Sequence, residues 1–478
     1  MDIVFLVLYF VGMLAIGFYY SARQTTVEEY VTAGRGLGYW VATFSARTTG
    51  ESGWLLLGLT GMGFAVGLSS FWVVVGEVVG VAISWIWIIP RFKQQVTEYK
   101  SLTMLDYFED KLGDHRHYLR YIFTAILVVM VTAYIAAQIT ATGKAFHGFY
   151  GMNVHLAQVM GVGIILIYVI SGGFHAVAIS DFVQGILMFL GLVGVPLFAL
   201  YHIGGITPLM DHLTANHPHM LNIWPEGGNA MIIGLAVLGL AGPGLGFLGS
   251  PQVYQRIIAL KAESNLKRAT VVAIFYTILT DGGAVLCGIT GRYFFNSLAD
   301  VETVFPDLVQ HIFPALFVGL FVAIILSAIM STVDSLLILA STTLIRDFYQ
   351  KVINPTISEK HAVRLLRICT VVISIVALLV ASMEIRAIYW FALFGWAGIA
   401  CAFCPPLILT LFWKRTNKYG VMAGALGGVL TAILWKTFSA DIIGFSLYEM
   451  IPGFVVSFIL TILVSITKKD ESRALESQ

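Results

Sequence analysis

The chain has 478 residues, of which 58% are hydrophobic and only 12% are charged, and its formal net charge is +1. An average soluble domain carries roughly 25% charged residues, so this composition excludes a soluble globular protein and indicates an integral membrane protein. A net charge this close to zero gives no basic surface for nucleic acid. All four cysteines lie within apolar segments, so we expect neither a disulfide framework nor a zinc site.

Apolar segments long enough to cross a bilayer recur along the whole chain. Because a helix needs about 20 apolar residues to span the hydrocarbon core, we count about 13 transmembrane helices, numbered here as spans in chain order. They are residues 3–20, 38–66, 68–90, 119–147, 155–172, 175–202, 230–250, 266–294, 312–345, 362–383, 386–413, 418–437 and 445–467. The sequence therefore predicts an all-α polytopic membrane protein.

Lysine and arginine are distributed unequally between the loops. Basic clusters follow spans 1, 3, 7, 9 and 11 and close span 13; the cluster after span 7 begins at Arg256. The loops at 203–228 and 295–311 contain neither residue type. Because basic loops stay in the cytoplasm, we expect the N-terminus outside and the C-terminus inside the plasma membrane. We expect one transporter domain over residues 1–478, with the lipid bilayer around it and no obligate protein partner.

Span 2 contains a polar segment with two glycines, FSARTTGESGWLLL, at Phe44–Leu57. In hydrocarbon, an unpaired backbone N–H or C=O group costs several kcal/mol, so such a break is tolerated only where it lines a cavity. A broken helix frees carbonyl groups that suit a cation and N–H groups that suit a carboxylate. We interpret this segment as a binding site; the alternative is a kink without a ligand.

A second break is predicted in span 7, where Gly239–Pro251 reads GLAGPGLGFLGSP. Proline removes a backbone donor and glycine weakens a helix, so this segment is not expected to stay continuous. Two interrupted spans five apart are typical of an inverted-repeat transporter. We expect repeats at 38–202 and 230–413, span 1 leading, trailing helices at 418–467 and a cytoplasmic tail at 468–478.

Ionisable side chains inside the spans are functional candidates, because each costs a few kcal/mol or more in a bilayer. The candidates are Arg47, Glu51, Glu77, Asp181, Asp281 and Asp334. Arg47 and Glu51 are four residues apart, so their charges could instead partly cancel on a helix.

Span 9 carries small polar residues at helical spacing. Ala328, Ser331, Thr332 and Ser335 recur at i, i+3, i+4 and i+7, which places one carbonyl and three hydroxyl groups on one face. Hard oxygen donors suit an alkali cation better than a transition metal. Asp334 lies beside this stripe, and Asp181 of span 6 could join it. The alternative is that these hydroxyl groups only hold helices together.

Seven motifs make the chain similar to a known family. They are SGWLLLGL at 52–59, LTMLDYF at 102–108, GGFHAVAISDFVQ at 172–184, LSAIMST at 326–332, RDFY at 346–349, GWAGIACAF at 395–403 and LYEMIPGF at 447–454. Over about residues 1–467 the sequence resembles the sodium:solute symporters, most closely the sodium/proline branch. The resemblance implies a five-plus-five inverted-repeat fold and inward cotransport of a small solute with Na⁺ as the coupling ion.

The resemblance also implies site residues. A main sodium site falls on the carbonyl groups of Thr48, Glu51 and Ala328 and the hydroxyl groups of Ser331 and Thr332. A second cation site, present in some relatives, falls on Asp181, Ser331, Asp334 and Ser335. Substrate positions fall on Ser52, Gly53, Trp54, Tyr134, Phe247 and Pro251.

The chain departs from the proline branch around the first break. The branch has aspartate at the position of Gly50 and aromatic residues at those of Pro243 and Phe247, the latter a tyrosine. Here Arg47 could hold a substrate carboxylate, and Glu51 or Glu77 an ammonium or hydroxyl groups, so Arg47 and Glu77 join the predicted substrate site.

We expect an amino acid such as proline as the solute. A carboxylate, a pantothenate-like vitamin or a sugar is the alternative. A channel would need a continuous polar lining, and an enzyme a nucleophile with an adjacent base or a metal cluster; neither pattern is present in the spans.

Overall fold

The computed structural model describes residues 3–22, 25–227, 229–261, 265–383, 388–443 and 447–468. From residue 469 on, the predicted cytoplasmic tail lies outside the described residues. Within these ranges the chain is helical, and its one sheet-like pairing is an isolated bridge between Leu37 and Leu260.

Nineteen α-helices, numbered in chain order, make up the described part of the chain. They are α1 Ile3–Ser21, α2 Val27–Thr32, α3 Tyr39–Trp54, α4 Thr60–Val66, α5 Phe71–Ile83, α6 Ile89–Glu98, α7 Met104–Leu112, α8 Tyr118–Tyr150, α9 Val154–Ile203, α10 Ile206–Asn216, α11 Ala230–Ala241, α12 Pro251–Ala259, α13 Leu266–Phe294, α14 Val304–Ile312, α15 Val318–Thr342, α16 Glu359–Ala381, α17 Ile388–Phe412, α18 Lys418–Ile443 and α19 Met450–Thr467. The described residues also form six 3₁₀ segments, which are in chain order Ala33–Arg35, Gly67–Ser70, Pro218–Leu221, Gly242–Leu248, Val301–Thr303 and Ala315–Phe317. The π-helical segments are Leu55–Leu59, Ser84–Ile88 and Thr343–Ile353.

In the described ranges, 11 helical stretches are long and apolar enough to cross a membrane. Two of them, Tyr39–Glu98 with 60 residues and Val154–Ile203 with 50, would measure about 90 Å and about 75 Å as straight helices, against a hydrocarbon core of about 30 Å. Each is interrupted by a glycine with positive φ, Gly67 at 62° and Gly173 at 54°. The count of about 13 spans stays a prediction.

Both predicted breaks are confirmed. In α3, Ser52 has a φ of 56° and a ψ of −178°, and a π-helical segment follows at Leu55–Leu59. A positive φ is uncommon for a residue other than glycine and costs about 1–3 kcal/mol unless the surroundings hold it in place. The second break is the 3₁₀ segment Gly242–Leu248 between α11 and α12. Both breaks lie within membrane spans, where freed backbone groups need partners.

Close glycine contacts join α5 to the second break. A Cβ atom at Gly76 would lie 2.2 Å from the Ala241 carbonyl oxygen, and one at Gly80 would lie 2.0 Å from that of Gly244. Small residues one turn apart allow two backbones to approach in this way. Because Glu77 lies between the two glycines on α5, this contact fixes its carboxylate relative to the break.

At the predicted cytoplasmic end, ion pairs connect α7, α8 and the π-helical segment after α15. Asp106 accepts hydrogen bonds from Arg120 at 2.7 Å and from Arg346 at 2.6 Å. Asp347 accepts from Arg120 at 3.1 Å and from Thr103 at 2.8 Å. Burial alone raises the pKa of the Asp106 carboxyl, but Arg346 and Arg120 outweigh it and hold this pKa below its ordinary value. Two of the sequence motifs, LTMLDYF and RDFY, thus meet in one network.

The glycine contact predicts that Gly80→Ala destabilises the protein. The added methyl group meets backbone atoms of Gly244 rather than a flexible side chain, so α5 must move away from the second break, at a cost of about 1–3 kcal/mol. The measurement is thermal unfolding of the purified protein. Gly194→Ala on α9 is the matched control, because no heavy atom lies within 4 Å of its added Cβ. Equal unfolding temperatures for the two variants would contradict the tight contact.

Candidate functional site

The first break of α3 faces the hydroxyl groups of α15. The Ser331 hydroxyl lies 3.4 Å from the Thr48 carbonyl oxygen, and the Thr332 hydroxyl lies 3.3 Å from the Thr49 carbonyl oxygen. Both hydroxyl groups also contact the Ala328 carbonyl oxygen, at 3.1 and 3.3 Å. The structure therefore brings together four of the five residues predicted for the main sodium site. They supply neutral, hard oxygen atoms, which suit Na⁺.

The fifth predicted sodium ligand, Glu51, is placed differently from the other four. Its side chain pairs with the Arg47 guanidinium on the preceding turn, as the spacing of these two residues suggested. Its carbonyl group precedes Ser52, where the helix breaks, and remains a predicted ligand. Thr49 was missed, although its carbonyl group lies beside the Thr332 hydroxyl. In the sequence it is one more threonine in a polar segment, and only the facing helix distinguishes it.

The residues predicted for the second cation site also lie together. The Tyr168 hydroxyl donates to Asp334 Oδ2 at 2.6 Å, and the Ser335 hydroxyl donates to Asp334 Oδ1 at 3.1 Å. Thr49 Oγ1 lies 3.0 Å from Ser335 Oγ and 3.5 Å from Asp181 Oδ2. Asp181, Asp334 and Ser335 are each no more than 1% exposed.

A guanidinium lies among these residues. Arg256 of α12 donates through Nη2 to Asp181 Oδ2 at 3.0 Å and also to the Ser335 hydroxyl, and through Nε to the Ser45 hydroxyl at 2.9 Å. Its Nη1 donates to the Gln252 carbonyl oxygen at 2.8 Å. The interpretation of Arg256 as the first residue of a basic inner loop is wrong: the side chain is 1% exposed and α12 is buried along its whole length. Nothing in the spacing of PQVYQR indicates this.

A second set of charged side chains lies beside the first break, and we call it the charged group: Arg47, Glu51, Glu77 and Asp281. Arg47 hydrogen-bonds Glu51 and its Nη2 atom lies 3.9 Å from Glu77 Oε2. One oxygen from each carboxylate lies within 4.8 Å of the other two. Asp281, on α13, was a candidate by its depth in a span but was not placed in the substrate site. All four side chains are at most 1% exposed.

Aromatic rings cover the charged group. The Phe247 ring lies over Arg47, with 4.3 Å between the guanidinium carbon and the ring centroid, and the Trp396 ring lies 5.2 Å from that of Phe247. An ideal Cβ at Gly50 would lie 2.4 Å from Phe247 Cε1. Gly50 therefore allows this ring to reach Arg47, which gives a physical reason for the departure from the proline branch.

The other predicted substrate residues line the two breaks. The Tyr134 hydroxyl lies against Ser52, and the Gly53 N–H, freed by the break, donates to Gln138 Oε1 at 3.0 Å. Gln138 on α8 was missed, because a glutamine in an apolar span has many explanations. Trp54 is buried, and Pro251 is the first residue of α12. Both lie at the edges of the breaks rather than in the charged group.

A cavity of about 780 Å³ opens on the face that the loop charges predict to be outside. It is bounded by α4, α11, α18 and residues 447–449, which precede α19, and Pro243 of the second break lines it. The carbonyl group of Pro243 accepts a hydrogen bond from Trp396 Nε1 at 2.9 Å. Because Trp396 also packs on Phe247, these two rings lie between the cavity and Arg47.

Comparison with known sequences identifies the family. The model of the sodium:solute symporter family matches residues 30–428. The high-affinity proline transporter PutP of Bacillus subtilis (strain 168) is 34% identical over 471 residues, which cover 98% of each chain. The osmoregulated proline transporter OpuE of the same strain is 32% identical over 478 residues, covering 99% of this chain and 96% of that one.

Solved structures show the same fold. A substrate-bound, outward-open Na⁺-coupled sialic acid symporter matches with a TM-score of 0.80 at 19% identity over 98% of both chains. Mhp1, a nucleobase-cation-symport-1 family transporter, matches with a TM-score of 0.55 at 12% identity over 93% of this chain and 94% of that one. The predicted all-α polytopic transporter fold is confirmed, as is Na⁺-coupled symport in the plasma membrane rather than enzymatic catalysis. The chain belongs to the sodium:solute symporter family.

Proposed function

We propose that this symporter carries an amino acid, proline first, into the cell together with Na⁺ bound between α3 and α15. The observation that carries the proposal is the approach of Ser331 and Thr332 to the Thr48 and Thr49 carbonyl oxygens at the break. Relatives that align over nearly the whole chain are proline transporters, which supports the solute. The carboxylate, vitamin and sugar alternatives predict no Na⁺-dependent uptake of any amino acid.

Na⁺ would couple to the solute through the first break. By joining oxygen atoms of α3 to those of α15, the ion would hold the break in the geometry that exposes the Ser52 and Gly53 backbone to the solute. Such coupling is reciprocal, so the solute would raise the affinity for Na⁺ by the same factor. Movement of one repeat against the other around this filled site would then expose it to alternate sides of the membrane.

The solute would lie between the two breaks. Arg47 would bind its carboxylate, Glu77 and Glu51 would face its ammonium, and the residues around the breaks would enclose its apolar part. The enclosing residues are Ser52, Gly53, Trp54, Tyr134, Phe247 and Pro251. The Phe247 and Trp396 rings would separate the bound solute from the outer cavity.

We assign a single sodium ion to each solute. The guanidinium of Arg256 already supplies a positive charge to the set formed by Asp181, Asp334 and Ser335, the predicted second cation site. Its three nitrogen atoms each donate to an oxygen atom of the protein. This buried cation offsets one of the two carboxylate charges of the set without an ion from solution.

The main sodium site predicts a specific defect in Ser331→Ala and Thr332→Ala. Each variant removes one oxygen ligand, so the Na⁺ concentration for half-maximal proline uptake is expected to rise about tenfold, as a loss of about 1.4 kcal/mol would produce. The measurement is uptake into proteoliposomes at graded Na⁺. Ser341→Ala is the control, because among the described residues that buried α15 hydroxyl hydrogen-bonds only to the Ile338 carbonyl group of its own helix. An unchanged Na⁺ dependence in both variants would refute the site.

The ion count predicts a Hill coefficient for Na⁺ of about 1 in the natural protein. Removing the resident charge with Arg256→Met is expected to open the Asp181 set to Na⁺ and raise the coefficient toward about 2. Arg256→Lys keeps the charge and should keep the coefficient. A coefficient well above 1 in the natural protein that falls in Asp181→Asn would instead support a second sodium ion, and this comparison holds even if Arg256→Met is inactive.

The topology that we propose has the N-terminus outside, the C-terminus inside and inverted repeats at 38–202 and 230–413. The basic loops support this orientation, and the two breaks support the repeats. A membrane-impermeant maleimide on intact cells is expected to label Asp211→Cys in an outer loop and to spare Lys351→Cys. Permeabilised cells provide the control, since both positions should then react. Labelling of Lys351→Cys alone on intact cells would invert the topology.

A further inference from the structure

The charged group is shaped to hold an ammonium. Its carboxylates come from three separate helices, Glu51 from α3, Glu77 from α5 and Asp281 from α13, and one oxygen of each lies within 4.8 Å of the other two. An ammonium with three hydrogen bonds of about 2.8 Å would place its acceptor atoms about 4.6 Å apart. Because the three oxygen atoms lie within 4.8 Å of one another, they are close enough to share one bound cation.

The charged group also contains hydrogen-bond acceptors and hydrogen-bond donors that have no partner in the described part of the chain. Glu51 Oε2, Glu77 Oε2 and Asp281 Oδ2 are buried and have no hydrogen-bond partner among the described protein atoms. The same holds for Nε and Nη1 of Arg47. Since buried polar atoms are nearly always paired, these atoms point to a ligand that offers both an ammonium and a carboxylate.

The net charge of the charged group indicates the net charge that the ligand should carry. Three carboxylates against one guanidinium leave two negative charges in excess, and Na⁺ in the main site would offset one of them. A zwitterion such as proline adds no net charge, so one buried negative charge would remain uncompensated, which is costly. A solute with a net charge of +1 would bring the charged group and the sodium ion together to neutrality.

Resting on the proposed amino acid transport, we infer that this transporter prefers a small diamino monocarboxylic acid with a net charge of +1 over proline, the solute that its relatives suggest. Its carboxylate binds the free nitrogen atoms of Arg47, its α-ammonium faces Glu51, and its second ammonium binds between Glu77 and Asp281. The proline-branch resemblance does not supply this preference, because Arg47, Glu51 and Glu77 are departures of this chain from that branch.

A proton is the other source of one positive charge. The ionisable groups that face the three carboxylates are Arg47 on α3, Tyr134 on α8 and Tyr276 on α13. The Phe247 ring covers the Arg47 guanidinium on the side of the second break. A proton shared among Glu51, Glu77 and Asp281 would let a zwitterion bind. A cationic solute and a protonated carboxylate can be distinguished, because only the second requires binding to take up a proton from solution.

The test is binding of L-ornithine and of its neutral analogue L-norvaline to the purified full-length protein, by titration calorimetry in Na⁺ and in choline. In Na⁺ the dissociation constant for L-ornithine is expected to be about tenfold lower than that for L-norvaline. Glu77→Gln and Asp281→Asn each remove one charge and should bring the ratio close to 1. Glu226→Gln, in the outer cavity, should leave the ratio unchanged.

The outcomes separate this inference from the proposed function. Equal affinities for the two solutes, or a ratio that neither Glu77→Gln nor Asp281→Asn changes, would overturn the inference. So would tight L-proline binding accompanied by uptake of one proton, measured in buffers of different ionisation enthalpy. Na⁺-dependent binding would persist in those cases, whereas the absence of Na⁺-dependent binding for all three solutes would contradict amino acid transport itself. Thermal unfolding of each variant verifies that it is folded.

Discussion

The structure depends on one constraint, that polar groups inside a bilayer must find partners within the protein. Where α3 breaks at Ser52, the Gly53 N–H is taken by Gln138 of α8, and the last carbonyl groups before the break face the hydroxyl groups of α15. The freed N–H donor is therefore paired within the protein. The freed carbonyl oxygen atoms make only long contacts to the hydroxyl groups of α15, at 3.3 to 3.4 Å. A cation bound to these carbonyl oxygen atoms would replace the long contacts with shorter, stronger ones.

The same constraint distinguishes the two arginines that are buried beside the first break, Arg256 and Arg47. Arg256 donates from each of its three nitrogen atoms to oxygen atoms of the protein, and its partners come from α3, α9, α12 and α15. Arg47 has one hydrogen-bonded carboxylate, a ring over its face and two nitrogen atoms without a partner in the described part of the chain. A fully paired charge is a permanent part of the fold, whereas an incompletely paired one is suited to a ligand that comes and goes.

Features with a local signature were predictable from the sequence. Glycine and proline indicated both breaks, the i, i+3, i+4 spacing indicated the hydroxyl stripe of α15, and the four-residue separation indicated the Arg47–Glu51 pair. Arg256 was not predictable, because its position after an apolar span is also that of an ordinary cytoplasmic arginine. It is buried because α12 packs against other helices, α3 and α15 among them. Gln138 and Asp281 likewise gain their roles from helices distant in the chain.

The departure at Gly50 connects these observations to specificity. With no side chain at this position, the Phe247 ring can approach and cover the Arg47 guanidinium. The negative charge that the proline branch carries at this position is instead placed at Glu51, about 100° further around the helix, and at Glu77 of α5. The glycine contact between α5 and the second break then holds the α5 backbone at Glu77 close to the side of the site where we propose that the solute binds. The charge thus lies at positions that we propose to bind the solute, so solute preference can change while the proposed sodium ligands on α15 stay the same.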